Sequence, residues 1–222
     1  MVKHMSYSTI ANVLESWEQA RQKKDFEETL GVDALLKLFE LEPRTKAVFK
    51  FDIDYNPTPQ ELIDSGNLIH AIRMIHMFGT LPTSPFRFFF NARWIGSWNE
   101  DAHIICLYLS YADAALNMLG PDTEMLEEIL QELGKRHIVY GVSPHFYPFM
   151  GQAVLYALER SLGSSWNNEY KMAWVEVYDE LSGEIMKSIF NNTKKPWTDD
   201  GRRDRTRMNY NEWARTSRIR AP

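Results

Sequence analysis

Apolar residues recur along this chain with a helical period. Ile10, Val13, Leu14 and Trp17 fall at i, i+3, i+4 and i+7, which places them on one face of a helix. Leu35, Leu38, Phe39 and Leu41 carry the same period into a second helix, which Pro43 ends or turns. After the turn residues "NPTP" (56–59), "ELIDSGNLIHAIRMIHMF" (61–78) is helical again and offers Leu68, Ile72, Ile75 and Phe78 to a core. Gly120–Pro121 marks a turn, Asp122 suits a helix cap, and Glu124 suits the positive end of the helix dipole. Met125, Ile129, Leu133 and His137 then stand four apart on one row. Ser143–Pro144 signals a further start, with proline at the first helical position. The helix behind it carries Phe146, Met150, Val154, Leu158 and Leu162 before Gly163. A last helix shows Trp174, Tyr178, Leu181, Ile185 and Ile189.

No alternating strand pattern of useful length interrupts this series. The expectation is an all-α fold of six to eight helices, packed as a bundle or in a globin-like way. Two segments fall outside it. Residues 79–113 lack helical spacing and are rich in aromatics, an unusual length for a loop inside a compact domain. They read either as a lid-like insertion or as a retained intron or gene-model error. From Asn191 to Pro222 there are nine Lys/Arg against four Asp/Glu, and the composition predicts a disordered basic tail. The expected organisation is an extension over 1–9, a helical domain over 10–190 containing the atypical 79–113 segment, and the tail over 191–222.

Charge and composition narrow the partners. The net charge of −5 argues against nucleic acid, and the excess of acid is concentrated outside the tail. Cys106 is the only cysteine, so no intramolecular disulfide forms and a reducing, cytoplasmic setting is expected. No window approaches the roughly 18 uninterrupted apolar residues of a membrane span. Oligomeric state is not legible.

Chemistry must come from the histidines. There is no GxxxxGK[ST], GxGxxG, HExxH, CxxC pair or GxSxG. His137 is the one that asks for an explanation, because it ends an apolar row within "LGKRHIVYGV" (133–142). Periodicity alone favours a histidine at a helix end, where its charge suits the dipole. A neutral imidazole is also a good iron ligand, and one suffices to hold a haem within an apolar slot.

Four segments taken in order change that balance. "LFELEPRTKAVFKF" (38–51) resembles the second and third helices of the globins, and "LGKRHIVYGV" the segment that bears their iron-binding histidine. "GVSPHFYPFMGQAVLYALERSLG" (141–163) resembles the helix that follows, and "AWVEVYDELSGEIM" (173–186) the last one. The likeness is closest to single-domain, neuroglobin-like globins and runs over roughly 10–78 and 114–190.

This resemblance implies a globin-like fold holding haem b. His137 matches the proximal iron ligand, Phe49 the phenylalanine stacked on the porphyrin, and Val142 the apolar residue just past the proximal helix. Tyr147 falls at a haem contact where the family usually has phenylalanine. Leu35 falls on the distal side, and Met150 belongs to the pocket lining. Two registers of the distal helix stay open: one makes His70 the distal residue and possible sixth ligand, with Met74 facing the gas, and the other puts Ala71 there. His76 cannot share the role of His70, since six residues at about 100° each turn it about 120° away. His145 is expected to be structural or exposed, with a haem propionate as its nearest ligand chemistry. The implied activity is reversible binding of oxygen or another diatomic gas. An enzymatic alternative, nitric-oxide dioxygenation or nitrite reduction, requires a separate reductase, since no flavin or nicotinamide motif is present. The alternative of another class is a haem-free helical interaction module.

Overall fold

The computed structural model describes residues 5–65 and 123–193; of Glu27, Thr123 and Met125 only the backbone is described. Helix α1 (Tyr7–Arg21) is capped by Ser6, whose hydroxyl accepts from the Thr9 amide at 3.0 Å. Helix α2 (Phe26–Leu41) stops before Pro43, which opens a 3-10 turn over Pro43–Phe49. Helix α3 (Pro59–Asp64) starts with a reciprocal capping box between Thr58 and Glu61. Helix α4 (Thr123–Val139) has Glu124 in its first turn and Arg136 and His137 in its last. Helix α5 (Tyr147–Leu162) ends at Gly163, whose φ of 58° is open to glycine at little cost. Helix α6 (Asn168–Asn192) is the longest of those described. No strand occurs among the described residues, and no helix among them is long and apolar enough to cross a membrane.

Three boundaries differ from the sequence expectation. Pro144 opens a 3-10 turn (Pro144–Phe146) capped by Ser143, and α-helical geometry begins only at Tyr147. Helix α1 starts at Tyr7, inside the expected extension, and Met5 is already buried in the core. Helix α6 runs to Asn192, two residues into the expected tail. In each case a tertiary contact or a cap outweighs the local composition.

The helices pair α2 with α5, and α4 and α1 with α6. Their apolar faces form two clusters. The larger joins α1, α4, α5 and α6 around Trp17, Leu130, Leu158, Trp174 and Ile189. Within it the Trp174 indole donates to Ser16 Oγ at 2.9 Å, so the one polar atom of a nearly inaccessible ring is satisfied. The smaller joins Leu35, Leu38, Phe39, Phe49, Leu62 and Ala153. Met150 packs against both.

The base of the smaller cluster is held by polar contacts. The Glu42 carboxylate accepts from Arg44 Nε at 2.8 Å and Nη2 at 2.6 Å, and these bonds hold it below the usual carboxylate range. Lys46 is buried, with its ammonium donating to the Ile53 carbonyl and Asn56 Oδ1, both at 2.9 Å. It thereby ties the loop after Phe51 back under Phe49.

Candidate functional site

The end of α4 is built around Gly141. Its φ of 74° lets the chain reverse, the Val142 amide donates to the His137 carbonyl at 2.9 Å, and the Gly141 amide donates to the Ile138 carbonyl at 3.1 Å. This is a Schellman stop. It closes the helix and also anchors the backbone of the residue that bears the imidazole.

The imidazole is oriented from within its own helix. His137 Nδ1 lies 2.8 Å from the Leu133 carbonyl. A carbonyl can only accept, so Nδ1 carries the proton and Nε2 keeps its lone pair. Burial pushes the ring below the ordinary 6.5, with the Leu133 bond opposing that shift, so the ring is neutral at pH 7. It remains half-buried rather than sealed, and the Tyr147 ring stands beside it at 6.1 Å between centroids. A neutral histidine with one nitrogen fixed by a carbonyl and the other without a partner among the described residues has the arrangement of a metal ligand.

The two faces of α4 are unlike. Leu126, Leu130 and Gly134 are fully covered. At Gly134 the covering is backbone itself: a Cβ there would stand 2.6 Å from the Ile185 carbonyl oxygen and 2.6 Å from Ser188 Cβ. Ser188 Oγ donates to the Gln131 carbonyl at 2.6 Å across the same crossing. Ile129, Leu133 and His137, one position round the helix, are only half-buried.

The other expected residues lie on both clusters. Val142 and Tyr147 belong to the larger, Leu35 and Phe49 to the smaller, and Met150 bridges them. Phe49 meets Phe39 edge-on at 5.4 Å. Tyr147 is buried, its carbonyl accepts from the Tyr178 hydroxyl at 2.8 Å, and burial pushes its phenol far above the usual range. His70, Met74, Ala71, His76, His4, His103 and Cys106 lie outside the described residues. His145 is half-buried, with Nε2 3.6 Å from Glu42 Oε2 and its ring against Phe149 at 5.4 Å. It therefore joins the start of α5 to the end of α2, a contact between segments about 100 residues apart in sequence that spacing could not reveal. Glu42 was likewise unmarked by any motif; its place before Pro43 was the available signal. Gly134 gave none, since a helical glycine reads the same whether or not another helix crosses it.

Among the described residues no group of three or more His, Cys, Asp or Glu converges on a point. One imidazole does not hold a bare ion. It suits a metal that brings its other ligands with it, as in a macrocycle.

The globin family model matches residues 89–185, a span that includes His137, all of α5 and most of α6. Neuroglobin-2 of Oncorhynchus mykiss is 26% identical over 163 residues, which is 73% of this chain and 79% of that protein. The chain is thus similar to globins in sequence. A second relative, Anaerobic nitrite reductase GLB0 of Physcomitrium patens, is 26% identical over 185 residues, 83% of this chain and 82% of that protein. The solved structure of a Drosophila melanogaster globin superposes with a TM-score of 0.55 at 21% identity, covering 90% of this chain and 100% of that one. The architecture is thus an all-α globin fold.

Proposed function

We propose that this chain is a globin that binds haem b through His137 and reversibly binds oxygen or another diatomic gas on the opposite face. The carrying observation is the imidazole itself: neutral, held through Nδ1 by the Leu133 carbonyl, with Nε2 free on the half-buried face of α4. The donor set fits the group, because one axial nitrogen and an apolar wall are what an iron porphyrin requires of a protein. Val142, Tyr147 and Met150 would wall one side, and Phe49 and Leu35 the other. When bound, the cofactor supplies an iron centre with a position for a gas. The chain's own residues orient the imidazole, keep its proton on Nδ1 and exclude water. On this reading His70 and Met74 would serve the gas side, with His70 as hydrogen-bond donor or sixth ligand.

The test is a haemin titration of the full chain, followed by reduction and exposure to carbon monoxide. A stoichiometric rise of haem absorption, a protohaem pyridine complex and a reversible shift with the gas are expected. Absence of a saturable haem spectrum sinks the reading and leaves the helical interaction module.

The relative named as an anaerobic nitrite reductase supports a second reading, reduction of nitrite; the electrons, and any turnover of nitric oxide, would then depend on a separate reductase. Catalytic consumption of nitrite by the reduced, haem-loaded protein under a continuous electron supply would favour it. Stoichiometric gas binding without turnover would exclude it.

A further inference from the structure

Among the described residues, the hydroxyl of Tyr147 has no partner. Its oxygen is buried and makes no hydrogen bond, although the residue around it is fixed. The Tyr178 hydroxyl donates to the Tyr147 carbonyl, not to the phenol, and the ring is lodged in the larger cluster beside His137. A buried hydroxyl without a partner is a net cost to the protein that carries it. Phenylalanine would fill the same space at no such cost. The sequence nonetheless places the oxygen 10 residues after the candidate ligand, on the wall next to its ring.

We infer that Tyr147 is a hydrogen-bonding residue of the cofactor site: its hydroxyl donates to an oxygen that arrives with the cofactor. This rests on the haem reading. The acceptor is oxygen chemistry from one of two sources, a carboxylate on the porphyrin edge or a water enclosed between macrocycle and protein. Binding then removes a penalty that the empty protein bears. The oxygen destabilises the empty form and strengthens the loaded one, so its removal must act with opposite signs on the two.

Tyr147→Phe tests that reversal in the full chain. In the empty protein the substitution should raise Tm by about 2–4 °C, the shift for one relieved polar group in a domain of this size. In the loaded protein it should speed haem transfer to a scavenging apoprotein about tenfold, the equivalent of one hydrogen bond. Repeating both with iron etioporphyrin, which has no carboxylates, separates the sources. Disappearance of the effect on transfer assigns the acceptor to a porphyrin carboxylate, and its persistence assigns it to enclosed water. The inference is overturned if haem binds and Tyr147→Phe leaves its loss rate unchanged, or if it weakens both forms. Failure of the wild-type chain to take up haem overturns the haem reading itself and this inference with it.

Discussion

Two faces of one helix do different work. On α4, the row Leu126, Leu130, Gly134 is sealed against α6, down to backbone contact at Gly134. The neighbouring row, Ile129, Leu133, His137, is half-covered and ends in an imidazole whose Nε2 has no partner among the described residues. The first row commits its apolar surface to the fold. The second is left half-covered by the described residues. Burial, not hydrophobicity, separates the two, since both rows are equally apolar up to their last residue.

Truncation of one row against the other gives the largest effect. Leu130→Ala should cost about 2–5 kcal/mol in urea denaturation of the empty protein, as expected for a fully enclosed leucine. Ile129→Ala should cost clearly less there and should instead weaken haem retention. Equal costs at the two positions would erase the distinction. Next comes the crossing point. Gly134→Ala pushes a methyl into the Ile185 carbonyl and should cost about 1–3 kcal/mol, since backbone cannot step aside as a side-chain tip can. Because the displaced helix carries His137, haem affinity should fall with it. A Gly134→Ala protein of unchanged stability would mean that α4 and α6 do not meet backbone to side chain at this point.

Gly141→Ala should cost about 1–2 kcal/mol, because the left-handed backbone there penalises a Cβ even though the space around it is open. Its expected signature is fraying of the last turn of α4, read as faster amide exchange at Val142. The smallest effect concerns pH. The folded His137 ring resists protonation, whereas the unfolded one takes a proton near 6.5. The unfolded state therefore binds more protons below that pH, and stability falls as pH drops through 6.5, by at most about 1.4 kcal/mol per unit for one group. His137→Gln should flatten this part of the profile. The contribution of Glu42, whose pKa is lowered from 4.5 chiefly by Arg44, is lost only in more acid solution, so the two windows separate.

Much of the fold was legible because local rules and tertiary packing agree. Pro43 and Gly163 stop helices where expected, and Trp174, Leu181, Ile185 and Ile189 fill the core on the predicted row. The site was legible only in part. The apolar row ending in His137 was visible, but a neighbouring row of the same period was equally so, and only α6 decides which is sealed. The His145–Glu42 approach, the glycine crossing at Gly134 and the unmet Tyr147 hydroxyl all depend on partners distant in sequence. Periodicity carries no information about such partners. Here the family resemblance carried the expectation for His137, and the structure added the contact of its Nδ1 with the Leu133 carbonyl.

The proposed function rests on one nitrogen, Nε2 of His137. Its test is a haemin titration of the full-length chain and of His137→Gly, each with and without added imidazole. Tight binding is expected of the wild type and a much weakened, altered spectrum of the variant. The wild-type spectrum should return when imidazole fills the space left by the side chain. A variant that takes up haem with wild-type affinity and an unchanged spectrum in the absence of imidazole would contradict the assignment of His137 to the iron.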